Sequence, residues 1–459
     1  MAEYRNIYFI GIGGIGMSAI ARYYNARGFK VSGYDKTPSP LTHALEQEGI
    51  EVHYEDNISF IPKDTESTLV VYTPAIPKDM GELVYVQEKG YRVIKRSRML
   101  GEITDGQRCM AVAGTHGKTT TSTFLSHIFT DTGEGCSAFL GGISKNYGSN
   151  LLIHGNDVVV VEADEFDRSF LQLYPEIAVI TSMDADHLDI YSDIKNMHEA
   201  FKAFAGQVSG TVITKIGLPV TSEDTKANIL RYSYDDPAAD FYASDIKVDE
   251  CGYFTFSLHW PGGTIENCKV GIPGWVNVEN AVAAVASMWC AAKRRGEALD
   301  LDLLRKGLRE YQGVKRRFEF YVNTPRQVYM DDYAHHPEEL EATITSVRKM
   351  FPGRKLTAVF QPHLYTRTRD FAVEFAEVLS EADKVVMVPI YPARELPIEG
   401  VTSELIGKDI TAEWELVERD SVAEYLKSEQ TDVTVSFGAG NIDVVCGEIA
   451  KTLAAKITR

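Results

Sequence analysis

The run Gly114-Thr115-His116-Gly117-Lys118-Thr119-Thr120 contains the residue types that grip a phosphate chain. Backbone N–H groups of a glycine turn can surround phosphate oxygens. The Lys118 ammonium can neutralise their charge, and the Thr119 hydroxyl can ligate Mg²⁺. The common spacing G-x-x-x-x-G-K-[ST] would place its first glycine at Val112, and here Gly114 takes that part. ATP is the expected nucleotide. A second glycine run, "GIGGIG", sets Gly11, Gly13 and Gly16 as G-x-G-x-x-G, and Asp35 ends the next strand. Gly13, Gly14, Ile15, Gly16, Met17 and Ser18 would present helix N–H groups to a diphosphate. Asp35 could accept from a sugar hydroxyl. This motif alone does not choose between NAD and another diphosphate ligand.

Three more groups carry chemistry. Glu162 ends the apolar run "DVVVVE", where a metal-holding carboxylate belongs, while Asp164, Glu165 and Asp167 read as a solvated acidic loop. His187, beside Asp184 and Asp186 in "MDADHLD", is either a structural histidine or a metal ligand. "DDYAHHP" and "QPHLYTRTRD" bring Asp332, Tyr333, His335 and His336 to His363, Tyr365, Arg367 and Arg369, provided that the strands before them are neighbours. That set suits an amino acid, with a guanidinium for its carboxylate and histidines near its amine. One of the two adjacent histidines has the alternative of being merely packed.

The elements that must position these residues fall into three α/β blocks, at 1–105, 106–315 and 316–459. "NIYFI", "KVSGYD" and "TLVVY" read as strands around the helical "MSAIARYYNARGF". "CMAVAG", "DVVVVE" and "IAVIT" supply the second block. It also has β character in "YFTFSLHW" and a long apolar helix, "NVENAVAAVASMWCAAKRRG", stopped by its glycine. "QVYMDDYA", "KLTAVF", "KVVMVPI" and "DVTVSF" supply the third. The expected fold is a Rossmann-like first domain, a P-loop ATPase-like central domain and a Rossmann-like last domain.

Composition narrows the function. A formal charge of −18 argues against nucleic-acid or anionic-membrane binding, so an anionic substrate needs local glycine loops and a few cations. No apolar run is long enough to insert in a membrane, and the first residues lack the pattern of a signal peptide. The six cysteines form no C-x-x-C pair, as expected of free thiols in a cytoplasmic protein.

"AGTHGKTTT" resembles the loop of the Mur ligases, the ATP-dependent amide ligases that build the peptidoglycan stem peptide. "VEADEFDRSF" is similar to the family's E-A-D-E-S-D segment, with Phe166 where serine is usual. "PGWVNVEN" resembles its P-G-x-H-N-x-x-N helix start, with Val276 in the histidine's place. The resemblance implies ATP contacts at Gly114, Thr115, His116, Gly117, Lys118, Thr119, Thr120, Asn277, Asn280, Arg317 and Asp332. Asn277 has the alternative of a helix N-cap. It implies Mg²⁺ on Thr119, Glu162 and His187, and a nucleotide-sugar on the first glycine loop, Asp35, Ser97 and Thr73-Pro74-Ala75-Ile76. "DDYAHHP", "QPHLYTRTRD" and "IYPARELP", with Arg394 replacing a commoner glycine, resemble the member that adds L-alanine to UDP-N-acetylmuramate. That implies amino-acid contacts from Tyr333, His335, His363 and Arg367, and catalysis by Lys118, His187, His335 and Arg317. Monomer and dimer both fit. A dehydrogenase would leave the second glycine loop idle, a regulator would bind ATP without turnover, and a tripeptide-recycling ligase is not expected to carry "QPHLYTRT".

Overall fold

The computed structural model describes residues 4–184, 191, 193–393 and 395–457. They form α/β layers around three parallel-rich sheets and one small sheet, as the sequence predicts. The chain packs as two compact units: residues 1–244, 257–268 and 279–312, and residues 245–256, 269–278 and 313–459.

The first unit holds two sheets. β1 (Asn6–Ile10), β2 (Lys30–Tyr34), β3 (Glu51–His53), β4 (Thr68–Tyr72) and β5 (Arg92–Lys95) pair in parallel in the order β3-β2-β1-β4-β5. Helices cover such a sheet on both faces, so after their first residues, Asn6 and Thr68, β1 and β4 run apolar rather than alternating. The second sheet comprises β6 (Arg108–Ala113), β7 (Ser137–Ser144), β8 (Ser149–Leu152), β9 (Val158–Glu162), β10 (Ile177–Ile180), β11 (Thr211–Lys215) and β12 (Asn228–Tyr232). Its order is β12-β11-β10-β6-β9-β7-β8, parallel except for the β7–β8 hairpin. In an open parallel sheet the loops at the carboxyl ends of the strands build the site, and both glycine turns lie there.

β13 (Tyr242–Val248), β14 (Phe254–Trp260) and β15 (Gly263–Lys269) make the small sheet. The second unit is built on β16 (Glu319–Asn323), β17 (Val328–Asp332), β18 (Leu356–Phe360), β19 (Lys384–Met387), β20 (Glu413–Leu416) and β21 (Val433–Phe437), ordered β16-β17-β21-β18-β19-β20. Only β16 runs antiparallel to its neighbour. The long helix Trp275–Arg294 gives way to Gly296 at φ 73, the expected stop. No helix among the described residues is long and apolar enough to cross a membrane.

One buried polar group lies apart from the glycine turns. The Tyr8 hydroxyl donates to Glu82 Oε2 at 2.6 Å and lies 2.7 Å from His53 Nε2, while Asn57 N–H donates to Glu82 Oε1 at 3.0 Å. Burial pushes the Glu82 carboxyl up to about 7 against those bonds. From the ordinary 4.5 up to that value the unfolded chain releases a proton that the folded chain keeps, so stability falls as pH rises through the window. Glu82→Gln mimics the protonated form. It should therefore raise the melting midpoint by a few degrees at pH 8 and hardly at pH 5. Equal shifts at the two pH values would show that the carboxyl ionises freely in the fold.

Candidate active site

At the end of β6 the chain turns through Gly114–Gly117 into the helix Lys118–Asp131. Gly114 (φ 138) and Gly117 (φ 79) occupy backbone that glycine alone adopts cheaply, and a side chain at Gly114 would strike the Thr181 hydroxyl and the Ser182 backbone. β10, beside β6, thus braces the turn. Ser182 Oγ accepts from His116 N–H at 2.7 Å and lies 2.9 Å from Thr115 Oγ1, while Thr181 Oγ1 donates to the Ala113 carbonyl at 3.1 Å and to that of His116. Sequence reasoning passed over Thr181 and Ser182. The signal available was two small hydroxyls directly after an apolar strand. Asn280 Oδ1 accepts from Thr121 Oγ1 at 3.1 Å and faces Gly117, which puts this residue beside the turn.

Lys118 Nζ donates to the Gly114 carbonyl and to Glu165 Oε1, both at 2.7 Å. Burial would lower the ammonium, but Glu165, and then Glu162, outweigh it and raise it, so the lysine is a fixed cation. The acidic segment is therefore not the solvated loop expected. The Glu165 side chain is fully buried against Lys118, Asp164 pairs with Arg96 at 2.9 Å and Asp167 with Lys95 at 2.8 Å. Cations from elsewhere in the chain neutralise the run and let it pack. Glu162, at the end of β9, keeps Oε2 buried without a hydrogen-bond partner. An orphaned carboxylate oxygen and the Thr119 hydroxyl at the helix start are hard donors of the kind Mg²⁺ takes. Among the described residues no cluster of three His, Cys, Asp or Glu completes a metal cage, and His187 lies outside them.

The other glycine turn leads into the helix Ile15–Ala26, whose N-cap is Gly14 and whose first turn has no acidic residue. Asp35 helps to shape it: Oδ2 accepts from Gly13 N–H at 2.7 Å and Oδ1 from Thr37 N–H at 3.2 Å. Thr73 and Ile76 close over Gly11 at the two ends of the Thr73–Ile76 turn that contains Pro74 and Ala75. Met17 and Ser18 are buried. The Ser18 hydroxyl donates to the Ile15 carbonyl at 3.0 Å, and Asn150 Nδ2, from β8, donates to that carbonyl at 2.6 Å and to Ser18 Oγ at 3.0 Å. Ser97 lines a cavity of about 300 Å³ with Tyr72, Lys95, Arg98, Asp167 and Arg168.

In the second unit β17 and β18 are not adjacent, since β21 lies between them. Their following loops nevertheless meet. The His335 and His363 rings are 6.0 Å apart, Tyr333 is 5.3 Å from His335, and Arg367 Nη1 donates to His363 Nδ1 at 3.3 Å. Arg369 stands outside, exposed and paired with Asp370. His336 is the packed histidine of the two: it caps the helix Pro337–Met350 and sits 4.6 Å from the Phe371 ring. Glu339, which the sequence left unmarked, accepts from the His335 and His336 N–H groups at 2.8 and 3.1 Å.

The Arg317 guanidinium lies 5.3 Å from the Tyr333 ring, whereas Arg316 is structural, donating to Asp331 at 3.2 Å and to the Gly440 carbonyl at 3.0 Å. Asp332 accepts from Phe318 N–H at 2.7 Å and Ala334 N–H at 2.9 Å, and burial, opposed by Arg317, pushes its carboxyl up to about 6. Asn277 sits inside its helix rather than at the cap, donating from Nδ2 to the Pro273 carbonyl at 2.6 Å. Arg394 lies outside the described residues.

Comparison with known proteins places these motifs. Residues 6–108 match the Mur ligase family, catalytic domain, residues 112–288 the Mur ligase middle domain, and residues 316–441 the Mur ligase, glutamate ligase domain. The chain is 50% identical over 448 residues to the UDP-N-acetylmuramate–L-alanine ligase of Porphyromonas gingivalis, covering 96% of this chain and 97% of that one. It is 47% identical over 456 residues to the enzyme of the same name from Christiangramia forsetii, covering 98% of each. Among solved structures it is similar to the UDP-N-acetylmuramate-alanine ligase MurC of Thermotoga maritima, with TM-score 0.80 and 25% identity over 99% of this chain and 100% of that one.

Proposed function

The chain belongs to the Mur ligase family, and from that premise we propose that it joins L-alanine to the lactyl carboxylate of UDP-N-acetylmuramate, with ATP as the energy source. The products are UDP-N-acetylmuramoyl-L-alanine, ADP and phosphate, in peptidoglycan precursor synthesis in the cytoplasm. The observation that supports it most is the buried Lys118 cation in a glycine turn, within the field of the partnerless Glu162 oxygen. Such a pair is suited to phosphoryl transfer.

A carboxylate is a poor electrophile, and transfer of the ATP γ-phosphoryl group to it creates an acyl phosphate with a good leaving group. The 114–120 turn binds the phosphates and Lys118 neutralises the charge that develops, joined by Arg317. Thr119, Glu162 and His187 would hold Mg²⁺, which when bound polarises the phosphoryl oxygens. Asn277 and Asn280 meet adenine, since an amide donates and accepts at once, and Asp332 meets the ribose. The first glycine turn, Asp35, the 73–76 turn and Ser97 take the UDP-sugar. Arg367 and His363 take the alanine carboxylate beside Tyr333, and His335 faces the amine. Three domains, at 1–105, 106–315 and 316–459, divide the three substrates.

The test is phosphate release from ATP, Mg²⁺ and UDP-N-acetylmuramate against a panel of amino acids and the L-Ala-γ-D-Glu-diaminopimelate tripeptide. Release should depend on L-alanine and accompany a new amide. Turnover with the tripeptide alone would replace this reading by a recycling ligase, and NADH oxidation without ATP cleavage would replace it by a dehydrogenase.

A further inference from the structure

Glu339 turns back from the helix Pro337–Met350 onto the loop before it. Its Oε2 accepts two backbone hydrogen bonds and stands beside the His335 ring. The His335 N–H lies at 2.8 Å, the His336 N–H at 3.1 Å, and the His335 Nδ1 at 3.2 Å. Capping accounts for the two backbone bonds. It does not account for the imidazole.

The tautomer of His335 follows from its partners. Nδ1 lies 2.9 Å from the Tyr333 carbonyl, which can only accept, so Nδ1 carries the hydrogen and Nε2 keeps its lone pair. The neighbouring ring is set the other way: His363 Nδ1 accepts from the Arg367 guanidinium, which can only donate, so its hydrogen is on Nε2. One ring of the pair is an acceptor and the other a donor. An amino acid presents a proton-bearing ammonium and a hydrogen-bond-accepting carboxylate, and the two rings match those ends.

Charged groups reach His335 from every side. Burial lowers its imidazole. Glu339, on the following helix, opposes that. Arg367, after β18, and Arg317, before β16, lower it further. A neutral, basic ring at neutral pH is what proton removal from an ammonium needs. Burial acts to raise Glu339, but His335, its backbone donors and Arg317 together hold it below the ordinary range, so it stays ionised.

We propose that Glu339 and His335 form a dyad: His335 Nε2 takes a proton from the alanine ammonium, and Glu339 is the positioning residue whose carboxylate, beside a ring that the Tyr333 carbonyl orients, stabilises the imidazolium. The proposal rests on the alanine-ligase reading. The freed amine lone pair attacks the acyl-phosphate carbonyl and the C–N bond forms. The C–O bond to phosphorus then breaks, and its electron pair leaves with phosphate, which takes the second amine proton. The imidazolium returns its proton to solvent.

The test is the pH profile of kcat/KM for alanine in Glu339→Gln, whose amide oxygen can still accept the capping bonds. Loss of the carboxylate should cut the plateau roughly 10–100-fold and move the acid limb down by about one pH unit, because the imidazolium loses its counter-charge. KM for ATP and the melting midpoint should stay close to wild type, and Glu339→Asp should recover part of the loss. In a His335→Asn background, Glu339→Gln should cost less than about twofold more, since the carboxylate acts through that ring. An acid limb that does not move, or losses that multiply in the double variant, would reduce Glu339 to a helix cap. Failure of the wild-type protein to make an amide from alanine would instead remove the reading beneath the proposal.

Discussion

Lys118→Ala should abolish turnover, by at least about 10³-fold, while calorimetry still reports binding of UDP-N-acetylmuramate within about threefold of wild type. The lysine is the one cation fixed inside the 114–120 turn, and removing a preorganised charge from a transferring phosphoryl group costs factors of this order. UDP-sugar binding should survive because the first glycine turn is shaped by Asp35, Thr73 and Asn150, none of which touches Lys118. The substitution has a side effect that must be separated from the main one. It removes the Lys118 ammonium from the fully buried Glu165 carboxylate, and breaking such a pair typically destabilises by about 3–5 kcal/mol. Lys118→Met combined with Glu165→Gln removes both charges and should regain stability without regaining activity. A folded Lys118→Ala protein that no longer bound the UDP-sugar would overturn the assignment of the two glycine turns to different substrates.

The second large effect is expected at Arg367. Its guanidinium is part-buried and held beside His363, and burial lowers its affinity for the proton. A carboxylate ligand recovers that cost through paired charge-assisted bonds. Arg367→Ala should therefore raise KM for alanine by about 30–1,000-fold, the equivalent of roughly 2–4 kcal/mol. The KM values for ATP and UDP-sugar should hardly move, and kcat at saturating alanine should fall far less. Arg367→Lys should recover only part of the loss, because an ammonium cannot reproduce the planar fork. An unchanged alanine dependence would place the carboxylate elsewhere.

The sequence carries the parts that depend on local order. Strand, glycine turn and helix follow one another in the chain at both glycine turns, so the placement of Lys118 and Gly13–Ser18 at helix starts was legible from spacing. Where the outcome depended on partners far away in sequence, the reading stopped short. Glu165 looked solvated because four acids in seven residues usually are. Its burial is set by Lys118, and that of its neighbours by Lys95 and Arg96, cations on other elements. His335 and His336 were indistinguishable as letters. Pro337 suits the first helical position and makes His336 the cap, but the Phe371 ring that packs it comes from the junction of two helices further along the chain. Strand order was equally hidden, and the insertion of β21 between β17 and β18 is a long-range choice that no local pattern encodes.

Asn150 has a meaning for anyone who would treat the first hundred residues as an exchangeable cassette. Its amide, rooted in the hairpin of the following sheet, ties down the opening turn of the helix Ile15–Ala26, and Arg22 on that helix reaches back to its carbonyl oxygen. A graft of residues 6–108 from a relative onto this chain would cut these ties unless the recipient's residue 150 and the donor's residues 18 and 22 were matched together. Sequence divergence between relatives should then be correlated across that seam, and hybrid enzymes should regain performance through compensating changes there before any change at the reacting groups.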